Sequence, residues 1–243
     1  MNKTRLLPRE QRILAIETSS PRLSLAVGTT SNHLKSYQGP LRWRHAESLF
    51  AGMEGLLKRQ HWPVQSLTGV AVSTGPGSFT GIRIGLAAAR ALGQALKIPV
   101  VGVSSLKSLA YSFLEPGRYV CPAIDALRGD VFTALFALDT RGTVKTLWKE
   151  SRWPLTVWLH KLKTLRQKPL WLAGDGVGPY HKEIKALAGP RWKIVPEAQA
   201  YPHARALIRL AGRNLASSPA SSYKQVVPMY LRSAAAVERR KAR

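Results

Sequence analysis

Residues Ser73 to Gly93 read STGPGSFTGIRIGLAAARALG. They follow Val70–Val72, a short branched apolar run that predicts a buried strand. Gly75-Pro76-Gly77-Ser78-Phe79-Thr80-Gly81 then predicts a tight loop. Helical spacing of apolar residues runs from about Ile82 to Lys97 and stops before Pro99. Backbone N–H groups at such a strand–loop–helix junction are able to hold an anion, and Ser78 or Thr80 is placed to cap the helix. Yet the Gly-Lys-Ser/Thr ending of a Walker A loop is missing, so no lysine stands ready for terminal phosphates. The Gly75-x-Gly77 pair also lacks the third glycine of a dinucleotide fingerprint. Taken alone, the loop fits a structural turn as well as a phosphate site.

The helix beyond it carries Gly81, Gly85, Ala89 and Gly93 at four-residue intervals. That places small side chains along one ridge, which another backbone can approach closely. Glycine inside a helix costs about 1 kcal/mol against alanine, so a compensating contact is expected. Two contacts qualify: the chain's own sheet, or a helix of another subunit.

Outward from this stretch, the chain reads as alternating strands and helices. Ile13–Ile16 and Leu23–Val27 flank a turn-rich segment and predict a hairpin. Residues 45–60 predict a helix with Leu49, Met53, Leu56 and Leu57 on one stripe. Val100–Val103 predicts another buried strand. A second hairpin is expected from Tyr119–Ile124 and Val131–Leu138, with its turn at 125–130. Each half thus opens with a hairpin bearing an acidic residue at its bend, a hint of internal duplication. Residues 141–170 hold Trp148, Trp153 and Trp158 among many cations and suggest a small helical region. Trp171–Ala173 suggests a strand, 203–217 a helix, and 228–232 an extended end. The pattern is α/β with mixed sheets. The expected division is 1–106 for a first lobe, with helix 203–217 packing back on it, and 107–243 for a smaller second lobe with a basic tail.

The chain of 243 residues carries 37 Lys and Arg against 13 Asp and Glu, a net +24. Such a charge attracts polyanions, tRNA among them, but the cations are spread along the chain and a general basic bias explains them equally. The single cysteine, Cys121, excludes an internal disulfide and favours a reducing compartment, the cytoplasm. The apolar run after the N-terminal residues is too short and too polar for the core of a signal peptide, so none is expected, and no apolar run of about 20 residues predicts a membrane span.

Several segments, in order, closely resemble the TsaB family: Glu17-Thr18-Ser19 after Ile16, His45-Ala46-Glu47, Ser73 to Gly85, Pro99 to Leu106, Ile124 to Val131, and Pro228-Met229-Tyr230-Leu231-Arg232. The resemblance implies a two-lobed actin-like, sugar-kinase-like (ASKHA) fold with the second lobe reduced. It implies a non-catalytic partner in tRNA threonylcarbamoyladenosine synthesis, bound to the catalytic paralogue TsaD and joined by the ATPase TsaE. No cofactor is expected on the chain itself, with ATP at an interface with TsaE the open alternative; tRNA would be engaged through the complex, and the chain alone would form a homodimer. The helices after His45 and Gly75 would face TsaD, so His45, Leu49, Met53, Gly81, Gly85, Ala89 and Gly93 are the expected partner-binding residues. Glu17, Thr18, Ser19, Gly75, Gly77, Ser78 and Thr80 form a weaker candidate anion or nucleotide site. Two departures stand out. Glu17 replaces the aspartate usual in the family, and the family is not usually so basic.

The catalytic paralogue holds its metal through a His-x-x-x-His pair, two imidazoles on one helix face. The matching positions here are Ser105 and Leu109, so no metal is expected. None of the six histidines forms another i, i+4 pair. A kinase or ATPase of this fold would use carboxylates near the hairpins, and Glu17, Asp125 and Asp130 are the candidates. Turn formation accounts equally for Asp125 and Asp130. No Ser/His/Asp or Cys/His set supports a glycoprotease activity. The competing readings are an autonomous ATPase or kinase and a basic tRNA-binding subunit.

Overall fold

The structure, a computed structural model, describes residues 11–30, 34–41 and 45–231. In the first lobe, β1 (Ile13–Glu17), β2 (Arg22–Gly28) and β3 (Lys35–Leu41) form an antiparallel meander. Helix α1 (His45–Gln60) returns the chain to β4 (Gly69–Gly75), parallel beside β1, and α2 (Phe79–Leu96) leads to β5 (Val100–Ser104), parallel beside β4. Helix α3 (Ser105–Tyr111) leaves the lobe. The chain then repeats the series: β6 (Tyr119–Asp125), β7 (Asp130–Leu138), β8 (Val144–Pro154), α4 (Leu155–Lys163), β9 (Leu170–Ala173), α5 (His181–Leu187), β10 (Lys193–Ile194) and α6 (Ala204–Ser217). The two five-stranded sheets run β3-β2-β1-β4-β5 and β8-β7-β6-β9-β10, the same order twice. This is the duplicated, mixed-sheet architecture of the actin-like, sugar-kinase-like fold. The second copy is reduced in its helices, since α4 and α5 have 9 and 7 residues where α1 and α2 have 16 and 18.

Strand β1 is buried at every position because both faces of its sheet are covered. Leu14 and Ile16 join Val70, Val72, Leu56 and Leu86 under α1 and α2. Ile13 and Ala15 join Ala71 and Val101 under α6, which contributes Leu207, Ile208 and Ala211. Conversely, Leu106 and Leu109 of α3 pack with Val120, Ile124 and Phe136 of the second sheet. The closing helix of each lobe therefore seals the sheet of the other. With that much apolar area shared, the lobes are held together by burial rather than by a few surface contacts.

Three sequence expectations need correction. Residues 141–170 are not simply helical: β8 takes up 144–154 before α4 begins. Trp148 and Trp153 lie five residues apart yet pack on one cluster, their ring centroids 5.5 Å apart. Register shifts between Thr133 and Phe136 remove the two-residue alternation that would mark a strand. The first hairpin gains a third strand, β3, whose mostly exposed residues lack an apolar period. Finally, α2 starts at Phe79, with Ser78 accepting a hydrogen bond from Gly81 N at 3.1 Å, so Ser78 rather than Thr80 is the cap.

Candidate functional site

The turn between β1 and β2 and the loop between β4 and α2 meet at a cleft of about 660 Å³ between the lobes. Ser19, Gly77 and Phe79 line it from the first lobe, Asp125 and Asp175 from the second, and Tyr230 of the closing segment lines it as well. Tyr230 packs on Phe79 with centroids 5.4 Å apart and accepts from Arg83 Nε at 3.2 Å. Met229 N donates to Thr74 O at 2.7 Å, so this segment is tied to β4. Arg232, the last residue of that motif, lies outside the described residues, as does the basic tail.

The glycine-rich loop is pressed against the β1–β2 turn. A Cβ on Gly77 would lie 2.3 Å from Ser19 O, and Gly77 sits at φ +149°, which favours glycine. Ser78 N donates to Ser19 O at 2.7 Å, and Ile82 N to Ser78 O at 2.9 Å. Across the turn, Ser19 N donates to Glu17 Oε1 at 2.8 Å. The N–H groups of Ser19, Ser78, Gly81 and Ile82 are thus engaged within the chain, and the space beside Gly77 is filled. The seven residues Glu17, Thr18, Ser19, Gly75, Gly77, Ser78 and Thr80 do come together around one junction. They form a packed joint rather than the open anion cradle their spacing suggests. The second lobe builds the same joint: Gly176 N donates to Ala123 O at 3.1 Å, beside a Gly174 whose Cβ would clash with that carbonyl.

Glu17 is fully buried. Its Oε1 accepts from both Ser19 N and Ser19 Oγ, the latter at 2.6 Å, while Oε2 has no partner among the described residues. Burial pushes its carboxyl above the usual glutamate range, and the hydrogen bonds from Ser19 offset only part of that. A carboxyl biased toward its neutral form and tied to its own turn is poorly placed to hold Mg²⁺ or align water. Asp125 Oδ1 accepts from Leu127 N at 2.7 Å and stabilises a turn in which Leu127, Arg128 and Gly129 all have positive φ. Asp130 pairs with Arg152 at 3.4 Å. Asp175, which the sequence alone did not single out, accepts from Asp125 N at 3.0 Å, and burial raises its carboxyl, with nearby Asp125 adding to the effect. The repeat of strand followed by glycine loop was the signal that it matches the joint of the first lobe.

The residues present do not fit the paralogue's metal. Ser105 is buried and donates from Oγ to Pro76 O, and Leu109 is fully buried in the second-lobe core. Among the described residues no group of three or more His, Cys, Asp or Glu is arranged for a metal ion. Cys121 is buried against Thr133 Oγ1 at 3.3 Å, and burial pushes its thiol up to about 11.

The small-residue ridge of α2 faces inward. A Cβ on Gly85 would lie 2.3 Å from Thr18 Oγ1, and one on Gly93 would lie 2.4 Å from Val100 Cγ2. Gly81 and Ala89 are buried with them, as are Leu49 and Met53 on α1. These six expected partner-binding residues are therefore packed against the chain's own sheet. His45 opens α1, and its side chain lies outside the described residues. What α1 and α2 turn outward is a second set: Phe50, 62% exposed, with Ala46 and Ala51 on α1, and Ala87, Ala91 and Ala95 on α2. A Cβ on Gly55 would meet nothing within 4 Å, so α1 also presents bare backbone there.

A family model described as TsaD, tRNA N6-adenosine threonylcarbamoyltransferase, matches residues 41–238. The chain is 30% identical over 224 residues to the tRNA threonylcarbamoyladenosine biosynthesis protein TsaB of Bacillus subtilis, covering 92% of this chain and 95% of that one. It is 31% identical over 136 residues to the protein of the same name from Escherichia coli, covering 54% and 57%. Among solved structures, YeaZ from Pseudomonas aeruginosa superposes with a TM-score of 0.74 at 26% identity, covering 91% of this chain and all of that one.

Proposed function

The chain belongs to the TsaB family, which gives it a role in tRNA threonylcarbamoyladenosine biosynthesis, and from that premise we propose that it is the non-catalytic subunit that binds and activates a TsaD-type transferase. The observation that carries the proposal is the outward face of α1 and α2. It combines a large exposed aromatic, Phe50, with a row of alanines at four-residue spacing, Ala87, Ala91 and Ala95. Small residues admit a partner helix at close range, and an exposed aromatic beside them is the form of an interface anchor. In this reading the buried ridge on the other side of α2 sets the helix firmly on its sheet, so the outward face is presented rigidly. When the partner is missing, the same face supports self-association.

Catalysis is assigned to the partner. The buried, turn-bound Glu17 and the residues Ser105 and Leu109 in place of metal ligands support that assignment. ATP turnover is assigned to a TsaE-type subunit, with ATP at its interface. The test is reconstitution of N6-threonylcarbamoyladenosine formation on tRNA from purified TsaD-type and TsaE-type proteins supplied with threonylcarbamoyl adenylate as the group donor and with ATP. Product should form only when this chain is added. Undiminished product without it, or steady ATP hydrolysis by the isolated chain that is lost in Glu17→Ala, would overturn the proposal.

A further inference from the structure

The net charge of +24 is not evenly placed once the fold is known. Residues 155–194, which contain the helical layer of the second lobe, hold eight Lys or Arg and two carboxylates, a net +6. The segment 45–104, which contains the equivalent helices of the first lobe, carries only +3 over 60 residues. All eight cations are exposed, whereas one of the two carboxylates, Asp175, is turned into the interlobe cleft. None of the eight is ion-paired among the described residues.

Five of them gather at one end of the lobe. Lys161 and Lys163 end α4, Arg166 and Lys168 follow in the turn before β9, and Arg191 lies in the loop before β10. That loop is fixed against the turn. Trp192 Nε1 donates to Leu165 O at 3.1 Å, and a Cβ on Gly189 would lie 1.8 Å from Arg166 O. Cations at a helix C-terminus are favoured by the helix dipole, which accounts for one or two of them. It does not account for a cation on a separate loop held beside the others, nor for Lys182 in the first turn of the adjoining α5. None of the five lines the interlobe cleft or the smaller cavity beside Trp171 and Lys193, so this is an open surface rather than a pocket for a small anion.

We infer that this end of the second lobe is a docking surface for the phosphate backbone of RNA. An extended polyanion meets several fixed, unpaired cations on an open surface, and each contact releases condensed counterions. Charge complementarity defines the occupant's chemistry, and the choice of tRNA among polyanions rests on the biosynthetic role proposed above. The surface is on the lobe that does not carry α1 and α2, so RNA and a partner subunit would be held at the same time.

The test is salt-dependent binding of unmodified tRNA to the isolated full chain, followed by fluorescence anisotropy. The variant Arg166→Gln/Lys168→Gln/Arg191→Gln removes three exposed cations. The control Arg141→Gln/Lys145→Gln/Lys149→Gln removes three from the exposed end of β7 and β8. With about 0.7–0.9 units of slope per phosphate contact, the first variant should flatten log K against log salt by roughly 2–3 units and weaken binding at low salt at least tenfold. The control should change the slope by less than about one unit on the same scale. Equal losses in both variants, no loss in the first, or tighter binding of wild-type chain to phosphatidylglycerol vesicles than to tRNA at the same salt would each overturn the inference. Failure of the docking proposal would leave the slope difference in place, and failure of this inference would leave partner binding in place.

Discussion

The inward packing of the α2 ridge makes a prediction that needs no partner. In Gly85→Ala the new Cβ would stand 2.3 Å from Thr18 Oγ1, more than an ångström inside ordinary contact, while its next neighbours, Ile16 Cγ2 and Thr18 Cβ, stand at 3.4 Å. Both sides resist movement. Gly85 is on the buried face of α2, and Thr18 is fully buried in the turn, with its N–H toward Ser73 Oγ. Overpacking of this kind costs roughly 1–3 kcal/mol, and the better helix propensity of alanine returns about 1. At 2.3 Å between two buried, fixed groups the cost belongs in the upper part of that range, about 2–3 kcal/mol, so the expected net loss is about 1–2 kcal/mol, or a fall of roughly 2–8 °C in Tm for a chain of this size. Thr18 Oγ1 has no hydrogen-bond partner among the described residues, so Thr18→Ala should be nearly neutral alone. In Thr18→Ala/Gly85→Ala the clash is gone and the propensity gain remains, so the double variant should recover wild-type stability or exceed it. The cycle is measured by thermal and urea unfolding of the isolated chain. Additive single effects would refute the packing argument, as would a Gly85→Ala chain that keeps its stability but no longer binds a partner.

Three further outcomes follow from the same geometry. Because burial raises the folded-state pKa of Glu17, the native state holds a proton that the unfolded state releases; stability should fall as pH climbs from the ordinary glutamate range through the raised value. The Tm of Glu17→Gln relative to wild type should therefore grow as pH rises above the ordinary glutamate range, up to the limiting slope of one proton; a constant offset would contradict the assignment. Cys121, buried and with its thiol near 11, should react with Ellman's reagent only after denaturation, and prompt labelling of the native chain would show that β6 is not packed as described. Gly77→Ala should lower Tm even if Ser19 is made alanine, since the obstacle at 2.3 Å is the backbone carbonyl and no side-chain change removes it; recovery in the Ser19→Ala background would refute that.

Much of the architecture was readable because its physical signals are local. Branched runs at Ile13–Ile16, Val70–Val72 and Val100–Val103 became the buried β1, β4 and β5, and the Leu49–Met53–Leu56 stripe became the buried side of α1. The duplication was visible only as two hairpins, because the repeats share topology rather than residues: Gly75-Pro76-Gly77 and Gly174-Asp175-Gly176 make the same joint from different chemistry. Strand β8 was not readable because bulges break its alternation and its outward residues are charged.

The candidate site was harder to read. Spacing shows that Gly81, Gly85, Ala89 and Gly93 share a ridge, but not which neighbour fills it. That depends on Thr18 and Val100, distant in sequence from the helix or across a turn from it. The outward row Ala87–Ala91–Ala95 is equally regular and was overshadowed, because alanine in a helix calls for no explanation while glycine does. The basic end of the second lobe is spread over α4, a turn and a loop, so it gathers only once Gly189 is seen against Arg166.

The central claim, that α1 and α2 dock a TsaD-type partner through their outward face, is tested most directly by the binding constant of this chain for such a partner. The comparison is wild type against Phe50→Glu/Ala91→Glu, both positions being exposed. The account predicts at least a hundredfold loss of affinity, about 2.7 kcal/mol or more, with the Tm of the isolated chain changed little. An unchanged binding constant would contradict it.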